Sequence, residues 1–133
     1  MDPLSITAAI LSVGQAADSL LRVIRQLNNA SREIESFRSE IKRLKLVLDI
    51  TNSTLLTNTR STAHAADISA VLADCAKIVK NMEDVCVDRK RTAAGRHVGR
   101  FIWMQNRGKI EGLRRELRDA LGLLTLIVVV VKS

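Results

Sequence analysis

The sequence is nearly devoid of aromatic residues and has few of the prolines and glycines that favour tight turns. Among its 133 residues Phe37, Phe101 and Trp103 are the only aromatic ones, and tyrosine does not occur. One proline and six glycines are too few for a sandwich or barrel that needs many tight turns. The hydrophobic fraction is nevertheless 47%, so the core must consist of aliphatic side chains. This combination favours helices packed on helices in a single domain over residues 1–133.

Residues for catalysis and metal binding are scarce as well. His64 and His97 are the two histidines, and neither has the spacing that places a base beside a nucleophile. No Cys-x-x-Cys or His-Glu-x-x-His pattern occurs, so no metal ligands are apparent. Cys75 and Cys86 are about 16 Å apart along one helical stretch, too far for a disulfide. We therefore expect reduced core thiols in a cytoplasmic protein, no catalytic, cofactor-binding or metal-binding residues, and no enzymatic activity.

Apolar residues recur at three-four spacing in four segments, as is typical of amphipathic helices. We expect the first helix to begin at the N-terminus, with Asp2 as its cap and Pro3 at its first position. Its apolar face comprises Ile6, Ile10, Val13, Ala17, Leu20, Ile24 and Leu27. The second carries Ile34, Phe37, Ile41, Leu44, Leu48, Thr51 and Leu55. The third carries Ile68, Val71, Cys75, Ile78, Met82 and Val85, flanked by Leu72, Val79 and Cys86. The last carries Ile110, Leu113, Leu117, Leu121, Leu124, Val128 and Val131.

These four segments predict an all-α fold, an antiparallel four-helix bundle of up-down-up-down topology. A polar loop is expected over 57–62, and a short fifth helix can form over 101–106, before the last one. The nearly all-apolar run 121–131 is too short to cross a bilayer as a helix. Its four valines also suit a strand, but we expect a helix through at least Ile127. An apolar chain end of this kind indicates a domain of a longer protein or a surface for oligomerisation.

The positive charge is concentrated in one region. Residues 89–118 hold ten Lys or Arg against Glu111 and Glu116, a sum of +8, whereas the whole chain has a net charge of +7. The first part of this region belongs to an aperiodic basic connection over about 87–104, between the third and last main helices, and the second part is the first half of the last helix. The cations of this region predict binding to an anionic surface, either a membrane or nucleic acid, unless they only keep the protein soluble. The candidate anionic-surface residues are Arg89, Lys90, Arg91, Arg96 and Arg100.

The first ten residues, Met-Asp-Pro-Leu-Ser-Ile-Thr-Ala-Ala-Ile, followed by Val13 and a small-residue apolar helix, resemble the N-terminal domains of fungal NOD-like (STAND) receptors, the HeLo-like family. A charged second helix, a third helix containing Cys75, a basic stretch leading to Trp103 and a Leu-rich final helix extend the resemblance over nearly the whole chain. The resemblance implies a helical bundle that serves as a signalling or cell-death effector domain. It also implies a membrane-active first helix.

Charge and periodicity, together with this resemblance, lead to the first functional hypothesis: an effector domain that oligomerises and associates with anionic membrane. The first helix would insert through Ile6, Ile10, Val13, Ala17, Leu20 and Ile24. The protein would be cytoplasmic, with recruitment to the plasma membrane. The alternative is a protein-interaction module without lipid, in which the apolar run 121–131 binds a partner helical domain or a second copy. A basic nucleic-acid-binding module comes third, and no small-molecule substrate is expected.

Overall fold

The structure, a computed structural model, describes residues 3–27, 32–57, 63–87 and 106–132. Within these ranges the chain forms four α-helices and no strand: α1 (Pro3–Gln26), α2 (Arg32–Thr57), α3 (Ala65–Cys86) and α4 (Arg107–Lys132). The predicted all-α helical bundle is confirmed. The valine-rich end is helical through Lys132, so the tertiary packing of this segment overrides the strand preference of its β-branched residues.

All four helices contribute to one aliphatic core. Every residue of the predicted α1 face, from Ile6 to Leu27, is buried, and so is most of the predicted α2 face. Phe37 is the bulkiest of the completely buried side chains, and Met82 is completely buried as well. Thr51 also lies in the core, where its hydroxyl donates to the carbonyl oxygen of Val47, one turn earlier, at 2.8 Å. This bond satisfies a polar group that would otherwise be costly to bury.

The prediction was wrong for part of the core face of α3. Ile78 and Val85 are only half-buried, whereas Val79 and Cys86, expected to flank the face, are buried. The physical reason is that two overlapping stripes of three-four spacing follow Cys75, and the packing of α3 against α1 and α4 buries the stripe through Val79, Met82 and Cys86.

The helices form a ring in the order α1, α2, α4, α3. α1 packs against α2 and α3, and α4 packs against α3 and α2. The consecutive helices α2 and α3 therefore face each other across the diagonal, as do α1 and α4. Two ion pairs between α2 and α4, Glu33–Arg107 and Glu40–Arg114, join residues separated by the same 74 positions. These two helices consequently run parallel, so the bundle includes a parallel pair of neighbours.

Several predicted features lie outside the described residues. They comprise the Asp2 cap, the loop from residue 58 to 62, and the basic connection from residue 88 onward. The short fifth helix lies there too, except for its last residue, Asn106. That residue precedes α4, and its carbonyl oxygen accepts the first hydrogen bond of the helix from the N–H of Ile110 at 3.0 Å.

Candidate functional site

The apolar face of α1, the predicted membrane-insertion surface, is turned into the bundle. Its six residues are each at most 6% exposed, namely Ile6, Ile10, Val13, Ala17, Leu20 and Ile24. The structure thus brings all of them together on one continuous face, in contact with the side chains of α2 and α3. Insertion into a bilayer would require α1 to leave this position.

Polar contacts connect α1 to both of its neighbouring helices, α2 and α3. Lys45 Nζ of α2 lies 2.6 Å from Asp18 Oδ1, and both side chains are about half exposed. The hydroxyl of Ser19 donates to Glu83 Oε1 of α3 at 2.7 Å. An exposed ion pair of this kind contributes on the order of 0–1 kcal/mol, so α1 is held mainly by burial of its aliphatic face.

The outer face of the N-terminal half of α1 is only weakly polar. Ser5, Ala8, Ser12 and Gln15 are exposed there, together with Leu11, which is 62% exposed. Of the helices in the described residues, α1 is the one whose length and composition would allow a membrane crossing, over Ser5–Gln26. Core helices of soluble proteins meet the same criterion, so this property fits a helix that is buried in the bundle as well as one that inserts.

The predicted anionic-surface residues Arg89, Lys90, Arg91, Arg96 and Arg100 lie outside the described residues. The first half of α4 is described, and most of its cations are paired with acidic side chains. Three of its five cations form ion pairs with acids: Arg107 with Glu33, Arg114 with Glu40 and Glu111, and Arg118 with Glu40. These carboxylates, two of them on α2, neutralise much of the positive field expected in this part of the chain. Exposed Lys109 and Arg115 remain as its outward-facing cations.

Arg114 is the centre of a polar network inside the bundle, at 4% exposure. Its Nε donates to both carboxylate oxygens of Glu40 at 3.1 and 3.2 Å, and its two terminal nitrogens donate to Glu111 at 2.7 Å and to the Ser36 hydroxyl at 2.9 Å. Arg118 adds a bond to Glu40 at 2.9 Å. The planar guanidinium group thus donates to several acceptors at once, and these hydrogen bonds offset the cost of burying its charge.

The protonation equilibria of this network reflect both burial and charge. Burial of Glu40 by itself would raise the pKa of its carboxyl group, but the hydrogen bonds and charges of Arg114 and Arg118 outweigh burial and lower that pKa below 4.5. The hydrogen bond and charge of Glu40 raise the pKa of Arg114 against the opposing effect of burial. Both groups are therefore charged at neutral pH.

Arg114 is the residue that sequence reasoning missed. In the sequence Arg114 is one of the ten cations of the basic region 89–118. In the structure it lies on the buried side of α4, between Ile110 and Leu117. The signal was present: residue 114 lies one helical turn after one core position and one turn before the next. Glu40 lies at the matching place on α2, but only the parallel arrangement of α2 and α4 makes the two meet.

The C-terminal part of α4 is apolar on its outside as well as its inside. Leu124, Val128 and Val131 are buried, whereas Leu121 is half-buried. The large apolar side chains that are about half exposed or more in this part are Leu123, Leu126, Val129 and Val130. The expected exposed apolar end thus exists within α4, and it forms a candidate docking surface.

The two cysteines are free and buried, as expected for core thiols. Burial, together with the charge of Asp74, raises the pKa of Cys75 to about 11. Burial and the charge of Glu83 raise the pKa of Cys86 to about 12. Both thiols are thus in their unreactive protonated form at neutral pH. Among the described residues no cluster of three or more His, Cys, Asp or Glu side chains could hold a metal ion.

Comparison with known proteins identifies the family. No curated protein and no solved structure is significantly similar to the chain. A family model described as pigment biosynthesis cluster protein PigL N-terminal matches residues 1–125. The match supports the expected fungal, HeLo-like type of helical domain, and a receptor context stays a prediction. Since the match spans all four helices up to the last turns of α4, the chain belongs to the PigL N-terminal domain family.

Proposed function

We propose that this domain is a signalling or cell-death effector module of the fungal STAND-receptor type, which acts by oligomerisation and by association of α1 with anionic membrane. One observation carries the proposal. The apolar face of α1 is buried, with each residue at most 6% exposed, whereas the ion pair between Asp18 and Lys45 that links α1 to α2 is about half exposed to solvent. Burial of apolar surface is favourable in any apolar environment and needs no particular geometry. The lipid tails of a bilayer can therefore take the place of the bundle core around α1, whereas they could not take the place of specific polar partners.

The ring order of the helices supports the release of α1. If α1 leaves, α4 still packs against both α3 and α2, so the remaining three helices stay connected. The network around Arg114 fixes α2 to α4 by bonds to Glu40 and Ser36. This network lies away from α1, at the α2–α4 interface that must survive the departure of α1.

Membrane association would exchange one apolar environment for another. A released α1, which over Ser5–Gln26 is long and apolar enough to cross a bilayer, would place its core face and also Leu11 on the opposite side against hydrocarbon. Each basic residue near an anionic leaflet adds about 1 kcal/mol of attraction. In this proposal Arg89, Lys90, Arg91, Arg96 and Arg100 supply that attraction. Clustering of several domains would add their individually weak membrane affinities.

Dye release from anionic vesicles tests the proposal, with the full chain oligomerised by a fused trimeric coiled coil. The informative variant is Leu11→Lys, because Leu11 is 62% exposed in the bundle and its replacement is expected to change stability by no more than about 0.5 kcal/mol. In an inserted helix the same lysine costs about 2.5–3.5 kcal/mol. We expect Leu11→Lys to abolish dye release even though it adds a positive charge.

The matched control is Leu46→Lys on α2, where the leucine is 58% exposed. This variant adds the same charge to a helix that stays in the bundle, so its dye release should equal that of the unmodified protein. Absence of dye release by the oligomerised protein would reject the membrane function. Equal release by Leu11→Lys and Leu46→Lys would reject insertion through α1.

The alternative, an interaction module that acts without lipid, is favoured by the exposed apolar side chains of α4. Leu123, Leu126 and Val130 share one side of the helix by their spacing, and each is about half exposed or more. This function predicts a stable self-complex in sedimentation experiments without membranes, which Leu126→Lys should dissociate and Leu46→Lys should leave intact. A nucleic-acid function would instead appear as binding to DNA or RNA that weakens steeply with salt.

A further inference from the structure

A groove of about 470 Å³ lies between α1 and α2, on the outside of the bundle. One wall is a stripe of α1 and the opposite wall is Lys45 of α2, so that the lining residues are Gln15, Asp18, Leu21, Arg22, Arg25 and Lys45. The spacing of residues 15, 18, 22 and 25 places them on one side of α1. Leu21, which is half-buried, adds apolar contact to an otherwise polar lining.

The charge of the groove is unbalanced. Three cations and one acid line it, a local sum of +2, and the acid, Asp18, is already paired with Lys45 at 2.6 Å. Arg22 and Arg25 form no ion pair or hydrogen bond within the described residues, although both lie exposed beside this groove. By contrast, Arg107, Arg114 and Arg118 on α4 are all paired with carboxylates. The unpaired guanidinium groups on α1 are therefore available to an external anion.

We infer that this groove binds a phosphate-bearing anion, which Arg22 and Arg25 on α1 and Lys45 on α2 contact together. Guanidinium groups bind phosphate oxygens in a bidentate manner, and an ammonium group adds a point charge. The volume is within the range of ligand sites and accommodates several phosphate groups. Four of the six lining side chains are charged, so the groove suits a hydrated polyanion better than an apolar molecule. The Gln15 amide supplies a further donor on the same wall.

A ligand in this position would touch two helices at once. It would therefore stabilise the packing of α1 on α2, because anything that binds the folded state alone raises its stability by mass action. If α1 is the helix that leaves the bundle, the anion would oppose its release. That consequence rests on the proposed function, whereas the binding itself does not.

The test measures binding by calorimetry at low and moderate salt, with inositol hexakisphosphate as the soluble probe. A second arm uses sedimentation with phosphatidylcholine vesicles that contain phosphatidylinositol 4,5-bisphosphate, or phosphatidylserine at matched charge. We expect the double variant Arg22→Gln, Arg25→Gln to weaken binding about tenfold or more, the loss expected when charge-assisted hydrogen bonds are removed. Asp18→Asn, which removes the competing carboxylate, should strengthen binding.

The matched control is Lys77→Gln, Lys80→Gln, which removes two exposed cations with the same spacing from α3. Its affinity should stay close to that of the unmodified protein, since both double variants change the net charge equally. Binding of the soluble probe assigns a free phosphorylated compound as ligand, and binding only to phosphoinositide vesicles assigns a lipid headgroup. Equal losses in the two double variants, or no binding in either arm, would overturn the inference. Neither result depends on dye release, so the proposed function is tested separately.

Discussion

Arg114 of α4 and Glu40 of α2 meet inside the bundle, where Arg114 Nε donates to both carboxylate oxygens of Glu40 at 3.1 and 3.2 Å. Their side chains are only 5% and 14% exposed. A buried ion pair is weak evidence for stability, because desolvation of two charges offsets their attraction. It does, however, penalise any arrangement that separates the partners. We therefore interpret the pair as the contact that specifies how α2 and α4 align.

Removal of one partner should destabilise the bundle strongly. Glu40→Ala would leave the buried guanidinium of Arg114 with Glu111 and Ser36 as its remaining partners. We expect the free energy of unfolding, measured by urea denaturation, to fall by about 3 kcal/mol, at the lower end of the range for broken buried pairs. The double variant Arg114→Met, Glu40→Leu, which replaces the pair by apolar groups, should be close to the unmodified protein in stability.

The corresponding control is Arg38→Ala. Arg38 forms a surface ion pair with Glu35 at 3.1 Å, and loss of such a pair typically costs no more than about 1 kcal/mol. If Glu40→Ala costs as little as Arg38→Ala, the Arg114 network does not fix the α2–α4 interface. Urea titration slopes should stay equal across these variants, since each unfolds the same surface.

The lowered pKa of Glu40 predicts a dependence of stability on acid. Because this pKa is depressed in the folded state relative to its ordinary value of 4.5, the stabilisation is complete above about pH 5. It is lost as the pH falls through 4.5 towards the folded pKa, where the carboxyl group becomes protonated. Other acids titrate in the same range, so the measurement is the difference in unfolding free energy between the unmodified protein and Glu40→Gln. This difference should shrink from pH 6 to pH 3; a constant difference would contradict the prediction.

The thiols should be unreactive in the folded protein. The raised pKa values, about 11 for Cys75 and about 12 for Cys86, leave little reactive thiolate at pH 8. The burial of both side chains also keeps the reagent from reaching the sulfur atoms. We expect labelling by a disulfide reagent to occur only when the bundle opens, at a rate that increases with urea. Ser12→Cys, at an exposed position of α1, provides the control thiol that reacts at once. Immediate reaction of the native cysteines would show that α3 is accessible.

Two glycines inside helices offer a way to stabilise the fold. A Cβ atom added at Gly14 of α1 or at Gly122 of α4 would meet nothing within 4 Å. Each change to alanine should therefore raise the free energy of unfolding by about 0.5–1 kcal/mol, the difference in helix preference. The double variant should show the sum, since the two sites have no shared contact to couple them. Thermal unfolding checks all three; a loss of stability in Gly14→Ala alone would mean that α1 packs more tightly at this point.

Leu11→Lys and Gly14→Ala together distinguish the stability of α1 in the bundle from its insertion into a membrane. The glycine change stabilises the helix in the bundle and in a membrane alike, so it should alter the unfolding temperature without altering dye release. The lysine change should do the reverse, because Leu11 faces solvent in the bundle and hydrocarbon only after insertion. The opposite responses would distinguish insertion of α1 as a helix from general loosening of the protein.

Much of the fold was predictable because helices are local. On α1 each predicted core residue is buried, since a single apolar stripe at three-four spacing has one way to face a core. Ile78 and Val85 on α3 show where this reasoning failed: α3 has two overlapping apolar stripes after Cys75, and packing against α1 and α4 buries the one that contains Val79 and Cys86. Of the candidate site, the insertion face was predictable, but the α1–α2 groove was not, because Lys45 joins Arg22 and Arg25 only across an interface.

By itself the sequence determined the four helices, the aliphatic character of the core and the concentration of positive charge, because composition and periodicity act within one turn or one segment. The tertiary structure alone decided which helices became neighbours, with α2 beside α4 and diagonal to α3. That choice buried Arg114 against Glu40 and left Arg22 and Arg25 without a carboxylate partner among the residues that the structure describes. The two kinds of feature differ for a physical reason. Helix formation depends on neighbours within a few residues, whereas the state of a charged side chain depends on what lies across the helix interface. Glu40 and Arg114, which are 74 positions apart, meet only after the chain has folded.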